Sequence, residues 1–201
     1  MKKISTLALI GAIALLGFTP AELLKVGSSM PKADVKMTDV SGKVVTLKDC
    51  AGANGTLVMF SCNTCPYVIK NQERTNEIMA YAMKNNIGVV ILNSNEGTRG
   101  KDDSFDAMKQ YAKDQGYKWF YTVDKNHEIA DAFGATRTPE CFLFDKNGIL
   151  VYTGAIDDSP ADAAAVKRKH LQTAIDEMNA GKEVGVKTSR SIGCNIKRLS
   201  K

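Results

Sequence analysis

The sequence has no internal repeat, no low-complexity tract and no Lys/Arg cluster interleaved with aromatic residues. The first two absences leave a single globular domain as the simple reading, and the third removes the case for nucleic-acid binding. Of the formal charge of +5, Lys2 and Lys3 at the extreme N-terminus supply two. Only two histidines are present, His127 and His170, far apart in the chain, and there is no second Cys-x-x-Cys. The four protein ligands of a structural zinc site are therefore not in view. The Gly-rich loop Ala51 to Gly55 lacks a Gly-Lys-Ser/Thr spacing and is no phosphate cradle. With 201 residues, 44% of them hydrophobic, the chain is too apolar for disorder and folding hides roughly 70% of its surface. A core of that size needs no staples, so the five cysteines call for another explanation.

No apolar run reaches the roughly 20 residues that a permanent membrane helix needs. The run Ile4 to Phe18 follows Lys2 and Lys3 and ends at Thr19-Pro20-Ala21, the layout of a secretory signal over residues 1–20. A lipoprotein would need a cysteine after Leu16-Gly17, where Phe18 stands. An exported chain, periplasmic and free of its signal, is the expectation, and its thiols then lie where disulfides persist. An uncleaved anchor is the alternative, because the exit has no clean Ala-x-Ala.

Val35 to Met37 and Val44 to Leu47 flank Asp39-Val40-Ser41-Gly42 and predict an N-terminal hairpin. Strands are expected at Thr56 to Phe60, Gly88 to Leu92, Trp119 to Val123, Cys141 to Phe144 and Leu150 to Thr153, the last two joined by an Asn147-Gly148 turn. Helices are expected at Cys65 to Asn85, Ser104 to Gln115, Asn126 to Phe133 and from about Pro160 to Ala180. The longest candidate linker is Gly27 to Lys32. The expected layout is an N-terminal segment 21–34, a domain 35–180 of α/β class with helices on both faces of a sheet, and a tail 181–201 that packs back on it.

Chemistry concentrates in Cys62-Asn63-Thr64-Cys65-Pro66, placed where a strand gives way to a helix. That context puts the first sulfur among unpaired backbone N–H groups, and Pro66 fits the first helical turn. Cysteines so placed have pKa values of about 3.5 to 7.5 against a reference near 8.5. Lowering Cys62 by about two units requires roughly 2.7 kcal/mol. An exposed helix macrodipole gives only about 0.3–1 kcal/mol. Hydrogen bonds to the sulfur, including one from the Cys65 thiol, are expected to carry the difference. The chemistry implied is attack by Cys62 on a disulfide, resolved by Cys65, without metal or organic cofactor. A metal site and an inert Cys62–Cys65 disulfide are the competing readings, the latter weak because so short a loop constrains little of the unfolded chain.

The strand, the Cys62/Cys65 motif and Thr138-Pro139 before Cys141 to Phe144 resemble a thioredoxin fold: a central mixed β-sheet flanked by helices, here with an N-terminal β-hairpin extension. Val26-Gly27, Met30-Pro31, Asp39 to Lys43, Leu57 to Phe60, Asn93-Ser94-Asn95, Asp102 to Phe105, Phe142 to Asp145 and Ile192-Gly193-Cys194 narrow it. Together they resemble the peroxiredoxin-like, redoxin-type proteins often labelled alkyl hydroperoxide reductase/thiol-specific antioxidant. The resemblance implies a cis Thr138-Pro139 facing the dithiol, with Thr138 and Pro139 in the substrate-binding edge and the Thr138 backbone free to pair with a bound peptide. It implies protein or small-molecule disulfides as substrates and, for a reductase, a membrane or periplasmic dithiol electron donor. Peroxiredoxins resemble Pro-x-x-x-Thr/Ser-x-x-Cys, but Met59 stands at the Thr/Ser position here. A thiol peroxidase acting through Cys62 is the runner-up, and a non-catalytic thioredoxin-fold binding module the third class. Thioredoxin buries an Asp where this chain has Thr56, leaving open which group manages the Cys65 proton.

Arg137 and Glu140 read as a solvated pair in a loop, His127 and His170 as surface residues, and Tyr67 as a candidate for the active-site rim. Cys141 reads as a buried inert thiol, and Cys50 is undecided. With Cys62 and Cys65 paired, three cysteines remain, so at most one further internal disulfide forms. Cys194 is then an added resolving thiol, a partner of Cys50 or Cys141, or a free thiol.

Overall fold

The computed structural model describes residues 22–199, so the signal-like segment 1–20 lies outside the described residues. The strands are β1 Met37–Asp39, β2 Val44–Val45, β3 Gly55–Ser61, β4 Ile87–Asn93, β5 Phe120–Val123, β6 Arg137–Thr138, β7 Glu140–Asp145, β8 Leu150–Gly154 and β9 Cys194–Asn195. The α-helices are α1 Pro66–Lys70, α2 Gln72–Lys84, α3 Phe105–Asp114, α4 Glu128–Phe133 and α5 His170–Asn179. Seven strands form one sheet in the order β2-β1-β5-β4-β3-β7-β8, while β6 and β9 pair separately. β3, β4 and β5 are parallel, and β1, β7 and β8 run antiparallel to their neighbours. The sheet is mixed and the class is α/β.

The central strands are apolar on both faces because both faces are covered. Alternation sends Leu57 and Met59 of β3, Val89 and Ile91 of β4, and Cys141 and Leu143 of β7 to one core, against Ile78 and Met79 of α2, Met108 of α3 and Leu171 and Ile175 of α5. Val58 and Phe60, Val90 and Leu92, and Phe142 and Phe144 go to the other core, beneath Ile129 and Phe133 of α4 and Met37 and Leu47 of the N-terminal hairpin. Phe60, Phe133 and Phe142 meet there edge to face at 5.1 to 5.6 Å between centroids. The hairpin turn is set by Asp39, whose carboxylate accepts the Ser41 N–H at 2.9 Å and the Tyr121 N–H at 2.8 Å, and by Gly42 at φ +85°.

Four expectations are corrected. The helix from Cys65 to Asn85 is broken at Asn71, which is buried and uses its side-chain amide on the carbonyls of Tyr67 and Pro160, 2.7 Å each. The last helix begins only at His170; the preceding segment holds a single 3-10 turn, Ala163–Ala165. Helix propensity along Ala163-Ala164-Ala165 is overridden because the Ser159 and Pro160 carbonyls serve Arg74 and Asn71 instead of a helix. Gly27 to Lys32 is not a linker: Gly27 donates to Leu150 (2.8 Å), Leu150 to Ser28 (2.9 Å) and Met30 to Gly148 (2.9 Å). Asn126 and His127 take left-handed conformations ahead of α4, and Asp124 holds the start of that helix through the N–H groups of Ile129 and Ala130 at 2.9 Å.

Arg74 and Asp157 form a buried ion pair at 2.5 Å, side chains 12% and 2% exposed. Removing one partner leaves the other charge uncompensated. Asp157→Ala is expected to cost about 3–5 kcal/mol. Urea denaturation checks this, and a midpoint equal to the parent's contradicts it.

Candidate redox site

Parallel strands β3 and β4 end side by side, with Ser61 paired to Asn93. The crevice beyond such carboxyl ends is where α/β sheets hold their reactive groups. Cys62 and Cys65 sit there, between the end of β3 and α1, with Cys65 as the residue that precedes the first helical turn. Tyr67 packs half-buried against them. The other cysteines are apart: Cys141 lies in the α2/α5 core and Cys50 in the opposite one. Burial pushes both thiols up, Cys50 to about 12, so neither holds a reactive anion. All five cysteines are free thiols.

Thr138 touches both sulfurs of the dithiol. Its peptide bond to Pro139 is cis. Its hydroxyl lies 3.5 Å from Cys62 Sγ, and its carbonyl accepts the Cys65 thiol at 3.3 Å. Glu140 is buried rather than solvated, which corrects the pairing expected with Arg137. Its carboxylate accepts the N–H groups of Thr136 at 2.8 Å and Arg137 at 3.2 Å and so shapes the turn into the proline. Arg137 is exposed and bonds the Gly193 carbonyl at 3.3 Å. The Thr138 edge is not free for a peptide: β9 occupies it, with Cys194 opposite Thr138 and Asn195 opposite Arg137. The Cys194 N–H also points at Cys65 Sγ, 3.4 Å away.

Beneath the motif lies a polar network that sequence reasoning missed. Asp103 is fully buried and accepts the Asn63 N–H (3.1 Å), Asn93 (2.7 Å), Asn95 (3.0 Å) and Thr98 (2.7 Å). Tyr121 donates to the Asn63 side chain at 2.7 Å, and Asn63 donates to the Asp102 carbonyl at 2.7 Å. Burial raises the Asp103 carboxyl, but the hydrogen bonds from Asn93, Thr98, Asn63 and Asn95 outweigh it and hold the group below its ordinary range. The signal was Asn93-Ser94-Asn95 directly after an apolar strand, where buried amides are out of place unless they are satisfied. Thr56 sits in β3 opposite Phe144, with no bond to the dithiol.

The two sulfurs are electrostatically coupled, and their shifts run in opposite directions. Cys62 is pushed up, first by the hydrogen bond in which its thiol donates to Cys65, then by burial, with the Asp103 charge adding to both and the Thr138 hydroxyl opposing. Cys65 is pushed below its ordinary range by that same bond, against burial, with the Cys194 side chain and the N–H groups of Val68 and Cys194 helping. The Thr138 carbonyl, 3.3 Å away, accepts only from a protonated Cys65. The two sulfurs therefore titrate as a pair.

The architecture defines a thioredoxin-like protein. A solved thioredoxin-like protein in its oxidised form superposes with a TM-score of 0.61 at 22% identity, covering 80% of this chain and all of that one. The chain belongs to the Redoxin family, whose model matches residues 25–169, and is an oxidoreductase by class. A conserved protein from Geobacillus kaustophilus, described as uncharacterized, is similar at 33% identity with a TM-score of 0.82, covering 88% of this chain and 94% of that one. The thiol-disulfide oxidoreductase ResA of Bacillus thuringiensis subsp. konkukian is 28% identical over 134 residues, 67% of this chain and 72% of that protein.

The Cys65 anion sets a pH dependence. A folded-state value below the unfolded one, near 8.5, means the reduced protein keeps one thiolate at neutral pH and loses it as the pH falls through the depressed value. Absorbance at 240 nm should show one thiolate per reduced chain at pH 7, absent in Cys65→Ser. An ordinary thiol titration in the parent contradicts a depressed Cys65.

Proposed function

We propose that the protein is an exported thiol–disulfide oxidoreductase in which Cys62 attacks a disulfide and Cys65 resolves the mixed disulfide. The observation that carries this is the buried pair Cys62 and Cys65 at the end of β3, with both sulfurs against Thr138, at 3.5 and 3.3 Å, ahead of the cis Pro139. Cys62 gives its proton to the Cys65 thiolate as its sulfur attacks, and the substrate's leaving sulfur departs as a thiolate. Cys65 then passes the proton to that thiolate and attacks Cys62 Sγ, closing the Cys62–Cys65 disulfide and freeing the second substrate thiol. The substrate class is a protein or small-molecule disulfide, and reduction of the closed pair falls to a membrane or periplasmic dithiol donor. These steps use the two thiols alone.

Export rests on Lys2-Lys3 and the apolar run after them, with removal of residues 1–20. Among the described residues no helix is long and apolar enough to cross a membrane. The domain proper is read as 35–180, with the segments before and after packed upon it. Against peroxidase chemistry, Met59 is a buried apolar residue in β3 where a peroxide-polarising hydroxyl would stand.

Cys62→Ser and Cys65→Ser should each reduce turnover of a model protein disulfide at least about a hundredfold, an effect of about 2.7 kcal/mol or more on the barrier. Stopped-flow oxidation of the reduced parent by hydrogen peroxide should run no faster than a free thiolate. Parental turnover in both variants, or a fast peroxide reaction, overturns the assignment.

A further inference from the structure

The reactive pair is hidden: Cys62 is 2% and Cys65 3% exposed. What closes over it is the C-terminal tail. Leaving α5, the chain follows β8, where Thr153 donates to the Lys187 carbonyl and Ser189 to the Thr153 carbonyl, both at 3.0 Å. It then crosses to β6 as β9. Gly193 permits that crossing, because a Cβ there would stand 2.0 Å from the Thr138 carbonyl oxygen. Beyond β9, Ile196 is buried and donates to the Thr136 carbonyl at 3.0 Å, Lys197 donates to Asn95 at 2.9 Å, and Arg198 bonds Asp131 at 2.7 Å. The tail is thus anchored on both sides of Cys194, whose half-buried side chain packs against Cys62, Cys65 and Val68.

We propose that Cys194 is a third redox thiol, exchanging with Cys65 and linking the buried pair to the surface; this rests on the reading of Cys62 and Cys65 as a disulfide-exchanging dithiol. Once Cys62 and Cys65 are joined, the Cys194 thiolate attacks Cys65 Sγ. The Cys194–Cys65 bond forms and the Cys65–Cys62 bond breaks. The electron pair leaves on Cys62 Sγ, which takes up the proton that Cys194 released. Nothing is oxidised or reduced overall. Thr138 Oγ1, 3.5 Å from Cys62, is placed to hydrogen-bond the departing thiolate. The new disulfide has one partly exposed sulfur, Cys194, open to an external dithiol: its first thiol attacks Cys194 and frees Cys65, and its second releases Cys194 as a thiol. The reduced state holds Cys194 in reserve, since burial and then the Cys65 sulfur push its thiol up to about 11. Oxidation of Cys65 removes the second cause, so Cys194 becomes more acidic when there is a disulfide to attack. Cys50 and Cys141, in the two cores, are excluded as its partners.

The test uses the full chain carrying Cys62→Ser, incubated with oxidised glutathione and mapped by non-reducing peptide mass spectrometry. The expected result is loss of both remaining site thiols into a Cys65–Cys194 crosslink whose rate does not depend on protein concentration. In parallel, Cys194→Ser and Cys194→Ala should still form the Cys62–Cys65 disulfide, with dithiothreitol reducing it roughly tenfold more slowly than in the parent. Cys65 trapped as a stable glutathione adduct beside a free Cys194, or reduction at the parent's rate in both Cys194 variants, overturns the proposal. Failure of the underlying dithiol reading shows separately, as a parent chain that does not form Cys62–Cys65. Near-ultraviolet circular dichroism identifies any variant that has not folded.

Discussion

The site depends on one constraint: Thr138 serves the sulfurs on one side and the tail strand on the other. Its hydroxyl and carbonyl lie 3.5 and 3.3 Å from Cys62 and Cys65, and β9 pairs along the same residue. Thr138 is 1% exposed, so these contacts form away from water, where an unmade hydrogen bond costs most. Glu140 fixes the turn that presents Thr138, and the β3–β7 ladder fixes Glu140 opposite Phe60, just short of the dithiol. The core that aligns β3 with β7 therefore also aligns the sulfurs with their partner.

The second determinant is the competition for a proton. A dithiol buried this deeply resists holding two charges, and the Asp103 carboxylate beneath it opposes an anion on Cys62. Donors gather instead at Cys65, from Cys62, Cys194 and Val68. That arrangement stabilises the reduced form in its singly ionised state, which moves the couple toward oxidising potential. Asp103 acts without touching a sulfur: it holds the Asn63 N–H and, through Asn93 and Asn95, ties the ends of β3 and β4 together.

Local signals in the chain were legible and distant ones were not. The Cys62/Cys65 spacing, Pro66 and the apolar runs of β3, β4 and β7 act over a few residues, and a reader of the sequence can place them. Thr138-Pro139 was found by family resemblance rather than by physics. The Cys65–Cys194 contact spans 129 residues and depends on a two-residue strand pair that carries no periodic signal. Asn93, Asn95 and Asp103 stand in the sequence only as marks of family resemblance, because nothing local shows that three polar side chains will satisfy one another when buried. The segment before α5 departs from its helical pattern for a related reason: alanine propensity is local, whereas the demand of Arg74 and Asn71 for its carbonyls is not.

The claim on which all else stands is that Cys62 and Cys65 form one reversible redox couple. Equilibrating the parent chain across a series of glutathione redox buffers, then alkylating and mapping the free thiols, measures it directly. The account predicts a single two-electron transition confined to the site cysteines, with a midpoint above thioredoxin's value of about −270 mV. Thiols at Cys62 and Cys65 that stay reduced across the series, or a transition that belongs to Cys50 or Cys141, would contradict it.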